Sequence, residues 1–484
     1  MYCHRVIAAL LFGLGLACGP PKGPAADVLL ITVDTLRPDY LSMNGYDRAT
    51  TPKLDRILAD SLYFDQATSP IARTTPALAS LLTGAYPHRT GVRTLTGELA
   101  SDVTTLTEIL RGDGYQTLAV VSNQVLVRAR GLSRGFDTYD MAADDRDARA
   151  TTNAVLEHLQ ELDPSDPTFV WVHYIDPHVP YHTDPAIVAR MDPGYTGRYR
   201  FNFGWMRQLG EPRDNHQPFP EDLPKQIAAH RNPLSDEVNA HIRRLYAADI
   251  RALDSEIDRL VDAARERFGD DLIIVFTADH GESLGEHDFY FDHGDYVYNA
   301  STRVPLAILL PKSHPLHATG RCTGWVSLTD VAPTLLEILG RDAAELGTQL
   351  EGRSLSSCLR GEGLAQEPIF SESGHSFFGD LIRGRTANDL TDRFRSVTLG
   401  DWKLIWSPSA AEPDAWQLFD LREDPDETRN LFHPGHPKIA ELRSHLDAWL
   451  AREPASDTQR AIDDEDRRAL AELGYIGSET PANE

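Results

Sequence analysis

Short runs of consecutive apolar residues recur along the chain, at residues 28–33, 117–121, 168–174, 272–276 and 305–310. Apolar side chains at successive rather than alternate positions are what strands buried on both faces of a parallel sheet require. Further on the spacing changes. Ile242, Leu245, Ile250, Leu253, Ile257, Leu260, Ala264 and Phe268 fall mostly three or four apart, with Gly269 as a stop signal. This pattern predicts an amphipathic helix. A shorter helix is predicted over 333–339, ended by Gly340. Strands alternating with helices predict an α/β domain over 27–345, its sheet covered by helices on both sides. Beyond about residue 345 the pattern differs: 396–406 and 416–421 read as two short strands around a turn, and 437–452 as a closing helix. These make a smaller α+β subdomain over 346–452, followed by a tail over 453–484. The Pro-, Arg-, Asn- and Gly-rich stretch 184–233 reads as a long excursion near the active face.

The chain begins with a different pattern. Arg5 precedes an apolar run over 6–17, then Cys18 and Gly-Pro-Pro-Lys-Gly. Such a run is too short to span a bilayer and has the form of a signal-peptide core. Small residues before Cys18 resemble a bacterial lipoprotein signal, although Gly15 and Leu16 depart from its usual order. Residues 1–18 are therefore expected to direct export and 19–26 to act as a linker. The protein would be periplasmic, attached to the outer membrane through a lipidated Cys18, or secreted.

Composition narrows the partners. The 484 residues, 41% hydrophobic and 25% charged, are ordinary for a globular chain. Asp and Glu number 73 against 47 Lys and Arg, a formal charge of −26. A field of that sign repels phosphate backbones, so nucleic acid is not an expected partner. A small anionic substrate remains compatible, because a local cation overrides the net field. Four cysteines are too few for a disulfide framework. With Cys18 lipidated, Cys322 and Cys358 remain, and the sequence does not say whether they pair.

Two of the buried runs end in acids. Residues 28–33 lead into Asp34, and 272–276 into Thr277-Ala278-Asp279-His280-Gly281-Glu282. Ligands bind outside the carboxyl ends of strands in open α/β sheets, and carboxylates with an imidazole suit a divalent cation. Either acid alone would read as a solvated turn residue; the pair with His280 points to a metal. Between them, in Arg73-Thr74-Thr75-Pro76, Thr75 is expected to cap a short helix, which sets Thr74 beside free backbone N–H groups.

Leu30-Ile-Thr-Val-Asp-Thr-Leu-Arg-Pro-Asp39, the segment 74–84 with Tyr86-Pro-His-Arg-Thr-Gly-Val92, and 277–287 together resemble the sulfatase family of the alkaline phosphatase superfamily. Further matches are Gly135-Phe-Asp137, His173-Tyr-Ile-Asp-Pro-His-Val-Pro-Tyr181, Arg303-Val-Pro-Leu306, Asp330-Val-Ala-Pro-Thr-Leu335, Gly400-Asp-Trp-Lys-Leu404 and the stretch 418–431. The resemblance implies an alkaline-phosphatase-like sandwich with a large, mostly parallel central sheet and a small C-terminal α+β subdomain. It implies one divalent metal ion (Ca, Mg, Mn or Zn) held by Asp34, Asp279, His280 and Thr74. The second acid that commonly follows the first in the family is Thr35 here. Arg37 is expected to face the substrate anion or to brace it. His178 matches the family's substrate-side histidine, and His293 falls where many members have a lysine on the leaving anion. His88 and His287 are expected to be structural or to sit behind the groups that touch metal and substrate.

The nucleophile departs from the family. Its Cys/Ser-x-Pro/Ala-x-Arg signature, converted to formylglycine, aligns with Thr74, Pro76 and Leu78. Threonine carries a methyl group on its β-carbon and cannot form that aldehyde. The expectation is an exported hydrolase of sulfate or phosphate esters in which Thr74, held at the cation, attacks phosphorus, while His178 or His293 protonates the leaving oxygen. Its substrate would be a small anionic ester, or a sulfated or phosphorylated glycan or lipid. Two other readings are a silent binder of such glycans and a transferase of phosphoethanolamine or phosphoglycerol.

Overall fold

The computed structural model describes residues 26–141, 146–181, 183–196, 236–374, 393–408, 410 and 414–452. The leader with Cys18, most of the 184–233 excursion and the 453–484 tail lie outside these residues.

The consecutively apolar runs form the centre of one large sheet. Its first strands are β1 (Val28–Val33), β2 (Leu62–Thr68), β3 (Gln116–Val121), β4 (Thr138–Met141), β5 (Thr168–Tyr174) and β6 (Ile273–Ala278). A two-stranded ribbon, β7 (Ser283–Leu284) with β8 (Tyr290–Asp292), precedes β9 (Arg303–Leu309) and β10 (Gly320–Ser327). The spatial order is β10-β2-β9-β6-β1-β5-β3-β4, and β9 alone runs antiparallel to its neighbours. All residues of β1, β5 and β6 are buried, as the period-free apolar pattern requires. The sequence pattern did not pick out β2, β4 and β10. β4 and β10 are the edge strands, half exposed and interrupted by polar residues, so they carry no continuous apolar run.

Register decides where the site lies. Val33 stands opposite Tyr174 of β5 on one side and Ala278 of β6 on the other. The carboxyl ends of three adjacent parallel strands are thereby level, and the residues after β1 and β6 emerge side by side. The predicted amphipathic helix is a 33-residue element, Asp236–Phe268, burying Ile242, Leu245, Ile250, Leu253, Ile257, Leu260 and Ala264. Its Tyr246 hydroxyl donates to Thr35 O and accepts from Arg37 N, at 2.7 and 2.9 Å, which clamps the turn after β1.

The C-terminal sheet has four antiparallel strands in chain order, β11 (Ile369–Glu372), β12 (Arg395–Leu399), β13 (Trp402–Trp406) and β14 (Trp416–Asp420). Residues 396–406 are thus a hairpin rather than a single strand. Leu399 pairs with Trp402 across Gly400-Asp401, and Gly400 adopts φ +58°, a two-residue turn that suits glycine. The helix Pro437–Leu450 covers this sheet through Ile439, Leu442, Leu446 and Trp449, packed with Val397, Leu404 and Leu418. Cys322 and Cys358 form a disulfide.

Buried ion pairs tie the small sheet to the large one. Lys403 on β13 donates to Val297 O at 2.6 Å and Asn299 Oδ1 at 3.1 Å, and pairs with Glu427 at 2.7 Å. Burial pushes the Lys403 ammonium down and Glu427 opposes that shift. Glu372 at the end of β11 is surrounded by Arg93, Arg393 and Arg395 at 2.6, 3.3 and 3.5 Å. Removing one member of a buried pair leaves its partner uncompensated. Lys403→Met should therefore lower unfolding free energy by about 3–5 kcal/mol in urea denaturation. The double change Lys403→Met with Glu427→Leu should cost clearly less; equal costs would remove the ion pair from the account.

Candidate active site

The chain turns sharply after β1. Thr35 has φ +54°, uncommon for a β-branched residue, and this conformation aims its N–H at Asp279 Oδ1, 3.1 Å away. The same oxygen accepts from His280 N at 2.7 Å. Asp279 is thus held from both strand ends through one oxygen, while Oδ2 has no hydrogen-bond partner.

Asp34 is fixed differently. Its Oδ2 accepts from Asn123 Nδ2 at 2.7 Å and from the Thr74 hydroxyl at 3.4 Å, with His173 Nε2 at 3.6 Å. Asp34 Oδ1 has no hydrogen-bond partner and lies 3.8 Å from His280 Nε2, which in turn is 3.4 Å from Asp279 Oδ2. Asp34, Asp279, His280 and His173 are each fully buried. Thr74 begins the helix Thr74–Thr83, whose residues are all buried. The expected cap is displaced: Arg73, extended at φ −150° and ψ 133°, precedes the helix, and the Thr75 hydroxyl donates to Leu95 O at 3.0 Å. Thr75 is drawn outward to a neighbouring carbonyl, so it does not cap, and Thr74 is itself the first helical residue.

The donor set fits a cation. Asp34 Oδ1, Asp279 Oδ2, His280 Nε2 and His173 Nε2 are buried and lack hydrogen-bond partners. Ligand atoms of Asp34, His173 and Asp279 lie within 4.8 Å of one another. The other nitrogen of each imidazole is engaged: His280 Nδ1 with Gly281 O at 2.9 Å, His173 Nδ1 with the Thr32 hydroxyl at 2.9 Å. Thr32 Oγ1 also receives Trp171 Nε1–H and donates to Val172 O. His173 Nδ1 is thus engaged, and its Nε2 faces the Asp34 carboxylate. Two buried carboxylates, each with one oxygen lacking a partner, call for a positive charge between them.

Titration expresses the same tension. Burial would raise Asp34, but His173, His178 and His280 outweigh it and hold the carboxyl at about 2. Burial and the Asp34 charge push Asp279 well above the carboxylate range. Burial lowers His280 to about 4 despite Asp34, so it stays neutral, the form that ligates metals.

The other residues singled out from sequence divide into two groups. His178 and His293 come together, their rings 5.2 Å apart, with His293 4.4 Å from the His280 ring. His293 Nδ1 lies 3.3 Å from Glu282 Oε1, and His178 Nδ1 donates to Val179 O at 2.6 Å. Arg37 has the contacts of a brace: Asp39 takes Nε and Nη2, while Glu286 and Glu282 O take Nη1, within 2.8–3.0 Å. His88 pairs with Glu351 at 3.4 Å, and His287 stacks on Tyr298 at 3.6 Å, outside this group. Sequence reasoning passed over His173, Asn123 and Arg73. An imidazole inside the apolar run 168–174 was the signal for the first; Asn123, two residues past β3, gave none.

A parallel sheet with acids and imidazoles at its carboxyl edge is the arrangement of the alkaline phosphatase superfamily. A family model described as Sulfatase matches residues 26–341, and one for the C-terminal region of N-sulphoglucosamine sulphohydrolase matches 285–455. The chain belongs to the sulfatase family, whose members are metal-dependent, and it is a sulfatase-like ester hydrolase. It is 25% identical over 455 residues to the choline-sulfatase of Rhizobium meliloti (strain 1021), covering 84% of this chain and 82% of that one. It is 27% identical over 493 residues to the multifunctional alkaline phosphatase superfamily protein PehA of Trinickia caryophylli, covering 86% and 92%. Among solved structures, one bound to its substrate D-glucosamine-2-N,6-O-disulfate matches with a TM-score of 0.69 at 20% identity, over 88% of this chain and 97% of that one. The phosphonate monoester hydrolase of Agrobacterium radiobacter matches with a TM-score of 0.64 at 20% identity, over 88% and 94%.

Metal binding is measurable without turnover. Saturating Mn²⁺ at about 100 times its dissociation constant should stabilise the protein by about 2.7 kcal/mol in thermal denaturation. Asp34→Asn and Asp279→Asn should abolish that gain. His173→Ala should weaken Mn²⁺ binding about tenfold in calorimetry; unchanged affinity would make His173 a support for Asp34 and not a ligand.

Proposed function

We propose that this protein is an exported, metal-dependent hydrolase of anionic esters in which Thr74 is the nucleophile, a substitution that favours phosphate over sulfate chemistry. The observation carrying this reading is the Thr74 hydroxyl at the family's nucleophile position, buried and directed at Asp34 Oδ2. When bound by Asp34, Asp279, His280 and Thr74, a divalent cation would neutralise the carboxylates and lower the pKa of a nearby hydroxyl. Thr74 Oγ1, its proton released to water, attacks phosphorus in line and displaces the ester oxygen. His178 is 6% exposed against 1% for His293, and the more open ring is assigned proton delivery to the leaving oxygen. His293, held by Glu282, hydrogen-bonds the anion. Water then cleaves the phosphothreonine and restores the hydroxyl.

Substrate class follows from the site and from related proteins. One structural neighbour is solved with its substrate D-glucosamine-2-N,6-O-disulfate and another with k-i-k-neocarrahexaose. They support a sulfated or phosphorylated glycan, or a small anionic ester, as the substrate here. The leader and Cys18 support export with a lipid anchor, and Cys18→Ser should move the protein from the membrane to the soluble fraction. A second reading, a silent glycan binder, is favoured by Leu78, fully buried where the family signature has arginine.

Assays on aryl sulfate, aryl phosphate and aryl phosphodiester separate these readings. Phosphodiester turnover should exceed sulfate turnover, and Thr74→Ala should reduce it at least about 10³-fold, with Thr74→Ser retaining part. Sulfate turnover that survives Thr74→Ala would overturn the nucleophile assignment. Anion binding without turnover would establish the binder.

A further inference from the structure

We propose that Arg73 grips the non-bridging oxygens of the substrate's phosphoryl or sulfuryl group, replacing the arginine that the family signature places four residues after its nucleophile. This assignment rests on the hydrolase reading above and adds a side-chain cation to it.

The signature position cannot supply the charge. Leu78 is fully buried and belongs to the main apolar cluster. Arg73 directly precedes Thr74 and is 1% exposed. Its side chain is threaded between two glycines. A Cβ on Gly294 would fall 2.3 Å from Arg73 Nε and 2.4 Å from Cζ, and one on Gly374 would fall 2.4 Å from Cγ. Gly294 also has φ +99°, a conformation that favours glycine. The guanidinium therefore lies flat against the backbone immediately after His293, a place that any side chain at 294 would occupy.

Gly294 sets the guanidinium beside the chain that carries His293, whose ring lies 4.4 Å from His280 and 5.2 Å from His178. His293, His280 and Thr74 all border the space where the transferred group must sit. A planar guanidinium there matches two oxygens of a tetrahedral anion with two parallel N–H donors, which an ammonium cannot do. The position before the nucleophile and the position one helical turn after it thus offer alternative sources of one charge. In this chain the charge has moved from the second to the first.

The test is calorimetric binding of orthovanadate and of inorganic sulfate to the Mn²⁺-loaded full chain, in wild type, Arg73→Lys and Arg73→Ala. Arg73→Ala should weaken vanadate binding at least about tenfold, with Mn²⁺ affinity unchanged. Millimolar guanidinium should restore part of that loss in Arg73→Ala and none in Thr74→Ala. Arg73→Lys keeps the charge without the fork and should fall between, so it carries the test if Arg73→Ala fails to fold. Unchanged vanadate affinity in either folded variant would overturn the assignment and leave Arg73 a packing residue. A wild-type protein that binds Mn²⁺ but neither anion would overturn the hydrolase reading itself, a failure distinguishable from that of Arg73 alone.

Discussion

Two carboxylates emerge fully buried from adjacent parallel strands, and the arrangement around them answers the repulsion between Asp34 and Asp279. Register puts them there: β1 and β6 end level, and neither acid can retreat into solvent. One oxygen of each carboxylate is tied to protein donors and the other has no hydrogen-bond partner. A shared proton could relieve part of the repulsion, as the upward shift of Asp279 expresses. It would not satisfy the unpartnered imidazole nitrogens of His173 and His280. A divalent cation would be within reach of Asp34, His173 and Asp279, whose ligand atoms lie within 4.8 Å of one another, and it would bring positive charge to a chain whose net charge is −26.

The C-terminal sheet is part of this machinery. Through Lys403 it holds Val297 and Asn299, on the loop that begins at His293. Through Glu372 it lies beside Ile71 and accepts no slack there, since Glu372 N donates to Pro70 O at 2.8 Å, three residues before Arg73. Gly374 then packs on the Arg73 side chain. Both strips of chain, the one before Thr74 and the one after His293, are therefore braced by one small sheet, which packs Ile369, Ile405 and Phe419 against Val297 and Trp325 of the large domain.

Much of the fold was legible because buried parallel strands write a simple signal. The strands β1, β5 and β6 are mostly apolar at successive positions, and the acids that end two of them follow directly. Thr74, His178 and His293 were legible only through resemblance to a family, since a threonine at a helix start or a lone histidine carries no signal of its own. His173 was hidden because its strand is apolar on both sides of it, where an imidazole reads as packing. Arg73 was hidden because its placement depends on glycines more than two hundred residues away. The hairpin at 399–402 was misread for a simpler reason: apolar residues on both sides of Gly400-Asp401 masked a turn that those two residues encode.

The most direct test of the central claim is anomalous diffraction from crystals soaked in Mn²⁺ or Zn²⁺. The account predicts one strong peak about 2.0–2.3 Å from Asp34 Oδ1, Asp279 Oδ2 and His280 Nε2. Carboxylates bridged by a proton alone, with the metal peak absent or far from both strand ends, would contradict it.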